Sequence, residues 1–247
     1  MKTASFRFYE ELNDFLPEQK RKKSFLYRFS GSPSVKDAIE AIGIPHSEVD
    51  LILINGESVT FNHRLSEKDN VSVYPIFESF DISPVNKLRV TPLRDTRFIL
   101  DVHLGKLAKY LRMAGFDTLY ERNYSDSEIV AIARNEKRII LTRDVGILKH
   151  KSVTHGYWIR SQDPVEQFRE VIRRFDLFNY FQPFQRCMHC NGLIEKASKN
   201  QVLHHLKPKT RQYYNVFYQC TRCNKVYWKG SHVKRMQELI NSMEKEK

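Results

Sequence analysis

Two pairs of cysteines, Cys187-x-x-Cys190 and Cys220-x-x-Cys223, restrict this chain more than any other feature. Each C-x-x-C turn presents two thiolates to one side of a tetrahedral ion, and two such turns close its coordination completely. A segment with little apolar area of its own gains its folding energy this way. The spacing therefore predicts a Zn²⁺ ribbon in which the metal is structural, because no coordination position is left for a water or a substrate. An iron–sulfur cluster and paired disulfides are the alternatives; in a reducing compartment, tight pairs more often bind metal than cross-link. His189 lies inside the first turn and reads as solvent-facing, since four cysteines already fill the site, and His204 and His205 have no ligand-like spacing.

The cysteines sit in the most basic part of the chain. Lys and Arg number 41 against 29 Asp and Glu, an excess that attracts polyanions. From Phe184 to Lys247 there are 13 basic and 4 acidic residues, a local excess of nine. Lys207, Lys209, Arg211, Arg222, Lys225, Lys229, Lys234 and Arg235 alternate there with Tyr213, Tyr214, Phe217, Tyr218, Tyr227 and Trp228. Cations for phosphates and aromatic faces for bases are what RNA binding requires. About half of these aromatics are expected to pack the ribbon instead. Lys225 and Lys229, beside the second cysteine pair, are taken as RNA contacts.

Ahead of the ribbon the chain divides into segments. Residues 1–80 carry short β-rich runs around the helical stretch SVKDAIEAI, with Ser34 placed to cap it and Asn55-Gly56 marking a two-residue hairpin. Strand, strand, helix, strand, strand is the order of a β-grasp fold. Residues 81–95 lose periodicity and include Pro84 and Pro92, as a linker does. From 96 to 182, short strands (FIL, TLY, RIILT, YWIR) alternate with helices, which implies a parallel sheet with helices on its faces. Leu104, Leu107, Ala108 and Leu111 share one helical face that Gly115 can end. Residues 183–247 form the ribbon and a C-terminal helix.

In a parallel sheet, ligands gather beyond the carboxyl ends of the strands. Asp101 follows FIL and Asp144 follows RIILT, while Asp126 opens the helix after TLY. Three carboxylates sharing one edge need a divalent cation between them, and oxygen ligands suit Mg²⁺ or Mn²⁺. Such an ion supports phosphodiester hydrolysis by activating water. Ser125 and Glu128 read as a capping box, and Asp163 with Pro164 as a helix cap. Arg112, Arg143 and Arg160 stand near helix or strand ends, where an arginine can hold a phosphate or pair with a carboxylate.

Two resemblances follow from these residues. The stretch SVKDAIEAIGIPHSEVDLILINGESVTFNHRLSEKDNVSVYPIF resembles the ubiquitin-like sulfur carriers of thiamin and molybdopterin synthesis, but it continues through PIFESFDISP where they end in Gly-Gly, which points to docking or RNA positioning. The runs LDVHLGKLAKYLRMAGFD and LTRD, with HGYWIRS and the paired cysteines, resemble the ribonuclease domain named after the C-terminus of the Mut-seven exonuclease, a PIN-like family. That resemblance implies an α/β multidomain chain: β-grasp, PIN-like parallel-sheet nuclease and zinc ribbon. It matches Asp101 and Asp144 to the first and third acidic positions, and leaves Asp126, Glu128 and Glu136 competing for the second. Only Asp163 stands where the family has an aspartate after the next strand.

The expected function is a metal-dependent ribonuclease acting on RNA; the alternative is a non-catalytic RNA-binding adaptor on a ribosome, tRNA or processing complex. The β-grasp domain is the expected seat of any protein partner. No apolar run reaches the roughly 18 residues of a membrane span. The start, broken by charges, does not read as a secretory signal, so a cytoplasmic location is expected.

Overall fold

The structure is a computed structural model, and it describes residues 1–75 and 96–245. The linker expected at 81–95 lies outside the described residues. In chain order the elements are β1 (Lys2–Phe8), β2 (Phe25–Phe29), α1 (Val35–Ile42), β3 (Val49–Ile54), β4 (Glu57–Ser58), β5 (Asn70–Pro75), β6 (Arg97–Leu100), α2 (Gly105–Met113), β7 (Asp117–Leu119), α3 (Asp126–Glu136), β8 (Ile139–Thr142), α4 (Val145–Leu148) and β9 (Gly156–Trp158). These are followed by α5 (Pro164–Arg174), β10 (Ile194–Ala197), α6 (Lys199–Val202), α7 (Pro208–Tyr213), β11 (Phe217–Cys220), β12 (Val226–Trp228) and α8 (Ser231–Glu244). The expected fold class holds: a β-grasp sheet, central parallel strands with helices, and a small antiparallel sheet carrying the cysteines. No helix among the described residues is long and apolar enough to cross a membrane.

The chain forms two compact units, one of residues 1–95 with 133–158 and the other of 96–132 with 159–247. In the first, the sheet order is β2-β1-β5-β3-β4, with β1 parallel to β5 and the other pairings antiparallel. This arrangement grasps α1, whose Val35, Ala38 and Ile39 are buried against Phe6, Phe8, Ile52 and Val73. Ser34 and Asp37 close a reciprocal capping box at its N-terminus. The β3–β4 turn has Asn55 at φ 52° and Gly56 at φ 89°, the positive pair that a type I′ hairpin needs. The sequence run RFYEEL does not stay extended beyond Phe8, because buried Asn13 donates to the Phe8 and Glu10 carbonyls and curls the chain into a 3-10 turn over Glu10–Phe15.

The same unit contains β8, parallel to β9. Three consecutive buried polar residues of the grasp domain bond to the chain that follows β8. His46 Nε2 lies 2.9 Å from the Val153 carbonyl, Ser47 Oγ donates to the Leu148 carbonyl at 3.1 Å, and Glu48 Oε1 accepts from the Trp158 amide at 2.5 Å. The Phe15 and Trp158 rings pack 5.1 Å apart.

In the second unit β6 runs parallel to β7. Leu104, Leu107, Ala108 and Leu111 are all buried, as their helical spacing predicts, and Gly115 ends the turn at φ 103°. Asp163 caps α5 by accepting from the Val165 and Glu166 amides, with Pro164 at the first helical position. The β10-β11-β12 sheet covers a small core of Val202, Leu206 and Phe217, with Tyr214 and Trp228 packed on it.

Candidate functional site

The four cysteine sulfurs all lie within 4.8 Å of one another. Cys187 and Cys223 are 3.6 Å apart and Cys190 and Cys220 are 3.4 Å apart. Zinc–sulfur bonds of about 2.3 Å at tetrahedral angles put sulfurs about 3.8 Å apart, so the donor set fits a single such ion. The two turns repeat one backbone design. Asn191 and Asn224, each following the second cysteine, take φ of 68° and 58°. Each of their amides donates to the carbonyl of the first cysteine, and the first cysteine's amide donates to the carbonyl two residues past the second, Gly192 or Lys225.

The thiols differ electrostatically. Burial pushes Cys187 up, but the Tyr227 hydroxyl 3.0 Å from its sulfur and the amides of Cys190 and His189 outweigh it, bringing the thiol to about 7. Burial pushes Cys190 up to about 12. Burial and the hydrogen bond to Cys187 raise Tyr227 in turn, which keeps its hydroxyl protonated as a donor.

The first turn is anchored by residues far from it in sequence. Arg112, 3% exposed, reaches from α2 to donate to the carbonyls of Thr118, Met188 and His189 at 2.8, 3.3 and 2.8 Å, with Tyr120 at 3.5 Å. Burial lowers its pKa, and the charges of Glu121, Cys187, Cys190 and Asp117 oppose that shift. Asn191 accepts from the Thr118 amide and donates to Asp117 Oδ1, extending β7 into the knuckle. Arg186 adds bonds to the Gly115 and Asn191 carbonyls and sits 3.5 Å from Asp117 Oδ2. Arg112, expected to hold phosphate, thus has its guanidinium committed to main-chain carbonyls. Its spacing carried the signal: it lies four residues after buried Ala108, on the apolar stripe.

The aspartates stand where the strand ends put them. Asp101, 3% exposed, follows β6 directly, and its Oδ1 accepts from the His103 amide at 2.8 Å. Beside it the Tyr120 hydroxyl donates to the Val102 carbonyl. Asp144 follows β8 within two residues and is exposed. Its amide donates to Thr142 Oγ1 and its Oδ1 accepts from Gly146. Asp126 is exposed in the first turn of α3, and Glu128 is occupied in the expected box, its carboxylate held by the Ser125 amide and hydroxyl and its pKa lowered by those bonds. Asp101 and Asp126 belong to one compact unit and Asp144 to the other. Among the described residues, the four cysteines alone form a group of three or more ligating side chains around one point.

Of the remaining cations, Arg143 is half-buried, with its carbonyl accepting from the Trp158 indole. Arg160 lies 3.8 Å from Glu170, whose carboxylate also accepts from the Arg160 and Ser161 amides. Lys225 and Lys229 are exposed, as are Lys207, Lys209, Arg211, Lys234 and Arg235. Among the ribbon aromatics Phe217 is buried, Tyr214 and Trp228 pack on it, and Tyr213 is 70% exposed. His189, His204 and His205 face solvent.

A family model described as the Mut7-C RNAse domain matches residues 96–240, and one described as Mut7-C ubiquitin matches residues 1–81. No curated protein and no solved structure gives a significant match.

Proposed function

The chain belongs to the Mut7-C RNAse family and carries a Mut7-C ubiquitin-like domain at its N-terminal end, and on that premise we propose that it is a divalent-metal-dependent ribonuclease. The observation that carries this reading is Asp101: a carboxylate almost wholly removed from water, fixed by a main-chain amide at the carboxyl end of a parallel strand. Ligands of a parallel sheet gather beyond the carboxyl ends of its strands, which is where Asp101 stands, directly after β6. Asp101 and Asp144, with Asp126 as the third, would hold Mg²⁺ or Mn²⁺. Such an ion supplies a water of lowered pKa and neutralises charge on a phosphate.

In this reading Zn²⁺ on Cys187, Cys190, Cys220 and Cys223 shapes the ribbon and takes no part in hydrolysis. Lys225 and Lys229, with Arg143 and Arg160 nearer the strand ends, engage the RNA backbone. The test is an Asp101→Asn, Asp144→Asn double variant, in which asparagine keeps the capping oxygen of each residue. Divalent-dependent cleavage of RNA should vanish while zinc content and thermal unfolding stay unchanged; undiminished cleavage would refute the assignment.

The exposed cations and exposed Tyr213 of the ribbon also support a second reading, an RNA-binding adaptor without turnover. It predicts salt-sensitive RNA binding by the purified chain and no cleavage under any divalent ion.

A further inference from the structure

The N-terminal domain holds a charged surface that the ribonuclease reading leaves unused. Lys20, Arg21, Lys22 and Lys23 are consecutive and all exposed, and Glu18 is the one acidic residue between Pro17 and Ser24. Residues 1–75 contain 10 basic and 11 acidic residues. The domain is therefore close to neutral, and four of its ten cations are gathered at one turn.

The fold fixes this turn. Glu18–Lys20 form a 3-10 turn, and the Arg21 amide donates back to the Glu18 carbonyl at 3.2 Å. Arg21 Nε donates to the Leu16 carbonyl at 2.8 Å. Lys22 stands at φ 56°, a left-handed conformation unfavourable for a lysine. Its amide is held at 2.6 Å by Oδ1 of Asn13, which is buried and bonded on its other side to Phe8 and Glu10. Lys20 Nζ lies 4.8 Å from the centre of the Phe25 ring. Arg7, exposed, follows Phe6, whose strand partner is Phe25, so a fifth cation stands at the same end of the sheet. Like charges on neighbouring residues repel, and a flexible loop would spread them; here a buried asparagine and a left-handed lysine keep them together.

We propose that Lys20–Lys23 form a second RNA-contact surface, on the ubiquitin-like domain, that takes the phosphate backbone of a single strand. This rests on the ribonuclease reading for the identity of the polyanion. The turn has no apolar side chain except Pro17, and Leu26, 71% exposed, is the one large apolar side chain exposed on the strand that follows, less than the apolar face with which a basic segment enters a lipid surface. Contacts of this kind position a strand without reading its sequence.

The test uses the full zinc-loaded chain and a labelled single-stranded RNA of about 20 nucleotides, longer than one binding site, with no divalent ion added. Replacing Lys20, Arg21, Lys22 and Lys23 by Ala should weaken binding at least tenfold at low salt. It should also lower the slope of log affinity against log salt by about 3, near 0.7 for each phosphate that the turn no longer neutralises. A control of equal charge, Lys2→Ala, Arg28→Ala, Lys36→Ala and Arg64→Ala, should weaken binding far less. Equal weakening in the two variants, or unchanged binding by the first, would overturn the proposal. So would turn-dependent binding to phosphatidylserine-rich vesicles with RNA binding intact, an outcome that assigns the turn to membranes. Turn-dependent RNA binding alongside cleavage undiminished by Asp101→Asn, Asp144→Asn would leave this surface standing and remove the aspartate assignment alone.

Discussion

The Cys187–Cys190 turn and the Cys220–Cys223 turn share a backbone but differ in what surrounds them. Both set an asparagine at positive φ after the second cysteine and close with the same two main-chain bonds. The first has its carbonyls filled by Arg112 and its asparagine side chain bonded to β7. Around the second, Arg222, Asn224 and Lys225 are exposed. One turn is therefore built into the α/β region of its unit, and the other is free to present cations. The shared C-x-x-C spacing sets the common design, and the neighbours make the two copies differ.

The largest test of that contrast is Arg112→Met. Methionine fills the volume but leaves the buried carbonyl of Thr118 and the part-buried ones of Met188 and His189 without their charged donor, each bond of that kind being worth about 1.5–3 kcal/mol. A loss of about 3 kcal/mol or more in denaturant unfolding is expected, and Arg112→Lys should not restore it, because an ammonium lacks the planar fork that spans these carbonyls. A loss under about 1 kcal/mol, no more than one ordinary hydrogen bond, would break the contrast.

Next in size come the two asparagines. Asn191→Ala removes bonds to Thr118 and Asp117 and puts alanine, which tolerates the left-handed region less well than asparagine, at φ 68°, at a cost of about 2 kcal/mol. Asn224→Ala meets the backbone penalty alone, about 1 kcal/mol, and Asn224→Gly should be close to neutral. Paired thermal melts would measure the difference.

The smallest effect concerns Tyr227→Phe. The hydroxyl helps hold Cys187 at about 7, below the free thiol's 9.0. Without it the thiol pKa rises, so protons compete with metal at higher pH. Zinc release on acidification, followed with a chromogenic chelator, should begin at a higher pH than in the parent chain.

Where a chemical group acts on its own sequence neighbours, the sequence was readable. Ser34, Ser125 with Glu128, and Asp163 with Pro164 cap their helices as their spacing predicts, and Asn55-Gly56 turns the hairpin. The cysteine spacing likewise carries the cluster. Arg112 shows the limit: its position near a helix end suggested phosphate binding, whereas its carbonyl partners at 188 and 189 lie 76 and 77 residues away. His46, Ser47 and Glu48 look like ordinary loop residues for the same reason, since each bonds a main-chain group from 148–158. Asp101 and Asp144 were legible as strand-end residues because that position needs only local periodicity.

The His46-Ser47-Glu48 contact also bears on how such chains diverge. Its partners are the carbonyls of Leu148 and Val153 and the amide of Trp158, groups that nearly every amino acid supplies. A substitution at 148 or 153 that still fills its buried space therefore leaves what His46 and Ser47 meet unchanged. The polar part of the joint is carried by backbone shape and the Phe15–Trp158 contact by two side chains, so a recombinant that exchanges residues 1–81 between relatives should be compatible where that shape is kept and both rings are retained.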